Sequence, residues 1–340
     1  MSHRDVEESA DRAARARDGR LGVVVIGRNE GERLRRCLSS LATASQVVIY
    51  VDSGSSDGSV AMAESQHVTV VELDQNTPFT AARARNAGFS RLREIAPQTT
   101  LVQFVDGDCE LVDGWIEAAA HFLGARSDVA CVCGRLRERF PERSVYNRLC
   151  DTEWDRAEGE TDACGGIAMM KAAVFEAAGG FNETLTAGEE LELCLRIRAQ
   201  GGRVWRVANE MAWHDAGMNR FSQWWRRAMR GGSAAAEGAL LYGSDSTAKY
   251  THRLAKIAVW SAGIPLFILV LAALHPWCLV LAIVYPFKVA RLALRDRSRS
   301  SGGWLTALFQ VLANFAEGAG AARYLLDRAR RRQGRLIEYR

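Results

Sequence analysis

The stretch QFVDGDCEL, residues 103–111, sets the reading of the rest of the chain. An apolar strand, TLVQFV, runs straight into Asp106-Gly107-Asp108, two short carboxylates separated by one glycine. Where backbone leaves a sheet, such a pair repels itself unless a cation or water intervenes. Mg²⁺ or Mn²⁺ held by one or two carboxylates usually completes its shell with substrate phosphates. Gly107 lets backbone come close with no side chain in the way. A solvated turn uses the same residue types, so position in the chain must separate the two.

Working outward, LGVVVIGRNEGERLRRCLSSL predicts a strand over 21–26 and a helix from about 30 to 42. QVVIYV (46–51) is a second strand, breaking into DSGSSDG, with a helix near 58–65. HVTVVEL is a third strand, ARARNAGFSRLREI a helix, and TLVQFVD a fourth strand. This alternation predicts an α/β fold, a mostly parallel sheet flanked by helices. Ligand sites in such sheets lie beyond the carboxyl ends of the strands. Three of these ends are polar (GRNE, DSGSSD and DGD), so all three open onto one crevice, and metal becomes the better reading of Asp106 and Asp108.

The 340 residues suffice for a sizeable core with an appendage. A net charge of +4 is small for that length and argues against a nucleic-acid partner. No CxxC pair occurs among eight cysteines, and most sit in apolar runs, as buried reduced thiols do. Residues 1–20 are charged throughout with no apolar core, so they are expected to be a flexible tail without a signal peptide. The catalytic domain is expected over 21–245, on the cytoplasmic side.

Residues 246–340 differ in character. Ile257–Phe287 contains no Lys, Arg, Asp or Glu and is interrupted at His275-Pro276-Trp277. Its first part, 257–274, is near the minimum for crossing a bilayer. A membrane hairpin and a greasy helical subdomain docking on the core or on another copy both fit. Arginine-rich flanks (Arg291, Arg295, Arg297, Arg299, then Arg323 to Arg335) favour membrane, with both flanks on the catalytic side. WLTALFQVLANFAEGAGAA (304–322) is less apolar and suits the interface.

Other segments offer chemistry. Asp52 ends a strand and can accept from a base or ribose, whereas Asp57 suits a helix cap. Arg85 and Asn86 lie among small neighbours, and a guanidinium suits a diphosphate. Thr186 and Glu189 have capping-box spacing. Glu190 follows in the helix's first turn, where the dipole favours the anion, and an ionised carboxylate at a site's rim can take a proton from a hydroxyl. His214 is a third candidate metal ligand beside two aspartates. Gln223, Trp224 and Arg226 fit either an interfacial segment or a lid over a phosphate or sugar.

With these pieces in order, the chain resembles a family-2 glycosyltransferase of the GT-A fold over about residues 21–230. The resemblance rests on VVVIGRNEGERLRRCLSSL, VDSGSSDGS, AARARNAGF, FVDGDCEL, GGIAMMKAAVFEAAGGFNE and GEELELCLR, six segments in the family's order. It implies inverting transfer of a sugar from a UDP- or GDP-type nucleotide-diphospho-sugar, with Mg²⁺ or Mn²⁺ on the diphosphate and a carboxylate as base. The resemblance makes Asp108 and Asp106 metal ligands and Glu190 the base, with His214 expected as the third ligand from its own chemistry. Arg28, Asn29, Glu30, Asp52, Arg85, Asn86, Asp106 and Gly107 line the donor, and Gly165, Gly166, Glu189, Gln223, Trp224 and Arg226 the acceptor side. The chain departs from the pattern at Ser53, where a second aspartate is usual, at Glu190, where aspartate is commoner, and at Arg227, where processive members carry tryptophan. The expected acceptor is lipid-linked or a saccharide, in exopolysaccharide or envelope glycan synthesis at the cytoplasmic face of the cell membrane. Transfer directly to polyprenyl phosphate and an inactive membrane-bound nucleotide-binding scaffold are the alternatives, and a homo-oligomer is compatible with the apolar C-terminus.

Overall fold

The computed structural model describes residues 21–41, 47–242, 248–295 and 303–330. The tail over 1–20 and Arg297, Arg299, Arg331, Arg332 and Arg335 lie outside the described residues. The chain divides into two compact units. One comprises the described residues up to Pro141 with Glu153–Thr184 and Glu189–Ala216; the other comprises Glu142–Thr152, Leu185–Gly188 and the described residues from Gly217 onward.

The first unit is built on β1 (Leu21–Gly27), α1 (Glu32–Ser40), β2 (Val47–Asp52), α2 (Ser59–Ser65), β3 (Thr69–Glu72), α3 (Ala81–Ile95) and β4 (Leu101–Asp106). Val23, Val24 and Val25 of β1 are wholly buried. A continuous β-branched run covered on both faces is what a central parallel strand requires. β1 pairs in parallel with β2 and β4, and β2 with β3. The register sets Gly27 beside Asp52 and Ile26 beside Asp106, so the three polar strand ends share one edge. Then come β5 (Cys109–Leu111), α4 (Trp115–Ala125), β6 (Val129–Glu138), α5 (Val145–Trp154, most of which belongs to the second unit), β7 (Gly159–Glu160), β8 (Ala168–Lys171), α6 (Ala172–Ala177), α7 (Glu189–Ala199) and β9 (Arg203–His214). Among the described residues nine strands make one sheet, ordered β3-β2-β1-β4-β8-β6-β9-β5 with β7 on β9. β8 runs antiparallel to both β4 and β6, while β6 and β9 are parallel.

Helix α3 is capped by Thr80, whose hydroxyl accepts from the Arg83 amide. It lies close on the sheet because Gly22 and Gly88 have no side chains. A Cβ on Gly88 would stand 2.4 Å from Val24 and one on Gly22 2.2 Å from Leu92. That approach fixes where Arg85, one turn before Gly88, can reach.

The second unit is helical: α8 (Phe221–Tyr242), α9 (Ala248–Ala258), a π-helical turn (Val259–Gly263), α10 (Ile264–Leu274), a 3₁₀ segment (Pro276–Ile283), α11 (Val284–Arg295) and α12 (Gly303–Ala329). Two stretches, Lys249–Leu274 and Pro276–Arg295, are long and apolar enough to cross a membrane, and they break at the expected His275-Pro276. Their side chains are largely bare, with Leu274, Trp277 and Phe287 among the most exposed apolar residues. The segment 304–322 lies in α12, which packs on α8 and keeps Trp304 and Leu308 exposed. A Cβ on Gly232 of α8 would stand 1.9 Å from the Glu317 carbonyl, and one on Gly320 1.9 Å from that of Met229. Only glycines allow backbones this close, and the Ser233 hydroxyl donates to the Gly320 carbonyl across the contact.

Candidate active site

At the shared strand edge, Gly107 donates its amide to the Ile26 carbonyl at 2.7 Å, folding the DGD turn over the end of β1. Asp106 then faces Arg85, which is almost wholly buried and spans three carboxylates. Its Nη2 lies 2.8 Å from Asp106 Oδ1, and its Nη1 2.9 Å from Glu189 Oε1 and 3.8 Å from Glu190 Oε1. Burial works against the guanidinium's charge, but Asp106, Glu190 and Glu189 outweigh it and hold Arg85 protonated. Gly166 sits against this cluster: a Cβ there would be 2.3 Å from Arg85 Nη2 and 2.8 Å from Asp106 Oδ2. Gly165 has φ +77°, a conformation suited to glycine.

One arginine among three carboxylates leaves surplus negative charge. It falls on Glu190, whose pKa is raised to about 7, first by burial and then by Glu189, with Arg85 opposing. Glu190 keeps about a quarter of its side chain exposed, whereas Glu189 is buried. The outer of the two adjacent glutamates therefore combines access with a pKa near neutrality, which suits a general base. The expected capping box does not form. Glu189 goes to Arg85, and the Thr186 amide and hydroxyl both donate to Glu237 at 3.2 and 2.9 Å.

Asp108 lies on the other side of the turn. The antiparallel pairing of β5 with β9 puts Cys109 opposite His214, which brings His214 Nε2 to 3.2 Å from Asp108 Oδ2. Ligand atoms of Asp108, Cys109 and His214 all lie within 4.8 Å of one another. A hard oxygen and an imidazole at this spacing suit neighbouring positions around an octahedral ion, whose ligands at about 2.1 Å stand about 3 Å apart. Burial, with Asp108 adding to it, pushes the Cys109 thiol up, so it stays protonated and is a poor third ligand. Asp106 is outside this group and gives Oδ1 to Arg85 instead.

Glu138, which sequence patterning did not single out, is fully buried behind His214. Its Oε2 accepts the Ala216 amide at 3.1 Å and lies 3.9 Å from His214 Nδ1, while Trp154 packs edge-on against the imidazole. The β6–β9 register, which pairs Glu138 with His214, is what delivers it. Arg36, also unanticipated, reaches Asp215 at 3.3 Å.

The residues expected on the nucleotide side form a tied loop pair. Asp52 is buried; its Oδ1 accepts from the Tyr50 hydroxyl and its Oδ2 from the amides of Gly54 and Ser55. Asn29, at φ 55°, accepts the Ser56 amide and donates its own amide to the Ser55 hydroxyl, joining the loop after β1 to that after β2. Arg28 stacks over Phe79 at 5.3 Å and Glu30 pairs with Arg33. Asp57 holds the start of α2 through the Ser59 amide and hydroxyl. Asn86 spends its side chain on Phe181 and Glu183, clamping the loop that follows Gly180.

Gln223, Trp224 and Arg226 belong to the second unit. Gln223 Oε1 accepts the Asn219 and Arg220 amides at the head of α8, Trp224 packs on Phe309 at 4.8 Å, and Arg226 donates back to the Ser222 carbonyl.

An α/β sheet of this order, with an acidic turn ending β4 and a glutamate-led helix beside it, is the GT-A arrangement of glycosyltransferases. Residues 22–177 match the description "Glycosyl transferase family 2". The chain is 28% identical over 231 residues to the pre-mycofactocin glycosyltransferase of Mycobacterium tuberculosis in two strains, a match covering 63% of this chain and 46% of each relative. The chain thus spans about half the length of those curated relatives. In fold it is similar to a mannosyltransferase of Pyrobaculum calidifontis solved with GDP-Man and Mn²⁺, with a TM-score of 0.60 and 19% identity, covering 94% of this chain and 93% of that one. It is also similar to residues 1–349 of TarS from S. aureus, with a TM-score of 0.51 and 14% identity, covering 89% of this chain and 91% of that one.

Proposed function

We propose that the chain is a membrane-associated, inverting glycosyltransferase that moves a sugar from a UDP- or GDP-linked donor to the hydroxyl of a lipid-linked or saccharide acceptor, in envelope glycan or exopolysaccharide synthesis. The observation carrying this reading is the ion cluster that joins Glu190 to the DGD turn through Arg85. Asp108 and His214 would hold a divalent cation, which when bound supplies positive charge to the departing diphosphate. Glu190 takes the proton of the acceptor hydroxyl at its Oε1 or Oε2, worth about 10² to 10⁴ in rate for a well-placed base. Arg85 holds Asp106 and Glu189 in place and limits the negative charge around the base. Asp52 and Asn29 set the two loops that would flank the nucleoside, their own acceptors being used to shape those loops.

The bare apolar faces of Lys249–Leu274 and Pro276–Arg295 support seating the chain on or in a bilayer, with the catalytic unit at the cytoplasmic face. Release of UDP or GDP from a donor panel, with extracted lipid-linked saccharides as acceptors and Mg²⁺ or Mn²⁺ present, tests the reading. It expects product with at least one donor, loss of product on chelation, and membrane fractionation of the chain. Hydrolysis-free, transfer-free binding of every donor would instead favour a scaffold.

A further inference from the structure

Lys288 is an unusual lysine. It lies within the second apolar stretch, yet its ammonium does not reach out to solvent. The Nζ is buried 3.4 Å over the Trp260 ring and has no hydrogen-bond partner among the described residues. The two charges that face it, Lys256 and Arg291, are both positive.

The helices explain the convergence. Tyr285, Lys288 and Arg291 recur at three-residue spacing along one face of α11. Lys256 and Trp260 lie four apart where α9 runs into the π-helical turn. The Tyr285 hydroxyl donates to the Trp260 carbonyl at 2.8 Å and their rings meet edge-on, locking the two faces together. The result is one ammonium over an aromatic ring with two further cations near it, at the end of the apolar stretches away from the His275-Pro276 break. A desolvated ammonium beside two like charges is costly without an anion.

We infer that Lys256, Lys288 and Arg291 bind the phosphate head group of an anionic glycerophospholipid. This rests on the membrane reading above. A lipid is the occupant because the apolar side chains around the cluster are bare, leaving acyl chains a surface to lie along where a soluble phosphate has none. Basic pockets between membrane helices take anionic head groups by this chemistry. The cation–π contact holds the Lys288 ammonium over the Trp260 ring, beside the exposed Lys256 and Arg291 that a head group meets first.

The test is flotation of the full chain with vesicles of phosphatidylcholine alone or mixed with phosphatidylglycerol. The wild-type chain is expected to float with both, and severalfold more tightly with the mixture. Lys288→Met and the exposed Lys256→Gln should each lose most of that preference while binding phosphatidylcholine as before; Arg126→Gln, far along the chain on the catalytic unit, should keep it. Inorganic phosphate should not compete at equal ionic strength. Equal flotation with both vesicle types, or a preference retained in both lysine variants, overturns this inference alone. Failure to float with either overturns the membrane reading as well.

Discussion

Replacing Glu190 by glutamine should lower activity and raise stability at once. The glutamate's pKa is lifted from an ordinary 4.5 to about 7 by burial and by Glu189, against the pull of Arg85. Between those two values the folded chain binds a proton that the unfolded chain has released, so stability falls as pH climbs through this window and stays lower above it. A tenfold change in proton affinity corresponds to about 1.4 kcal/mol, so the ionised carboxylate costs the folded state about 3 kcal/mol at pH 8. Glutamine is nearly the same shape and carries no charge. Glu190→Gln should therefore be about 3 kcal/mol more stable than wild type at pH 8 and nearly equal to it near pH 4.5, measured by urea unfolding across the pH range. Its kcat should drop by about 10² to 10⁴. Wild-type kcat/KM should rise with pH through an inflection near 7 as the base ionises, and the variant's profile should lack that inflection. A variant that is both fully active and no more stable at pH 8 would refute the reasoning.

Other perturbations follow from close contacts. Gly166→Ala pushes a methyl into Arg85 and Asp106; displacing a buried, paired arginine is expected to cost about 3 kcal/mol and most of the activity, read by thermal unfolding and turnover. Asn86→Ala strips partners from the Phe181 amide and carbonyl, and a melting experiment should show a loss of about 3 kcal/mol with KM affected more than the metal requirement. Gly232→Ala or Gly320→Ala must separate α8 from α12, with an expected loss of about 2 kcal/mol each, read by thermal unfolding.

The parallel half of the sheet was legible because its signals are local. β-branched runs predict β1, β2 and β4, and polar strand ends mark the edge where the site lies. The pairing of Asp108 with His214 was anticipated only as chemistry, since β5–β9 register, not sequence spacing, carries a histidine across 106 positions to Asp108. Glu138 was invisible for the same reason: a glutamate ending a strand looks solvated until register places it behind His214. Tertiary partners also overrode local spacing. Thr186 and Glu189 fit a capping box, yet a buried arginine and a buried glutamate offer each of them a stronger, charge-assisted bond. Arg85 was expected to face phosphate, and no local pattern could show that Asp106 and Glu189 already occupy its donors.

Titration calorimetry of the full-length chain with UDP- and GDP-sugars, with and without Mn²⁺, tests the central claim most directly. The account predicts that one donor class binds tightly only with the ion present, and that Asp108→Asn removes the ion-dependent part while leaving the fold unchanged. Donor uptake of the same strength in chelator, or unaltered in Asp108→Asn, would contradict it.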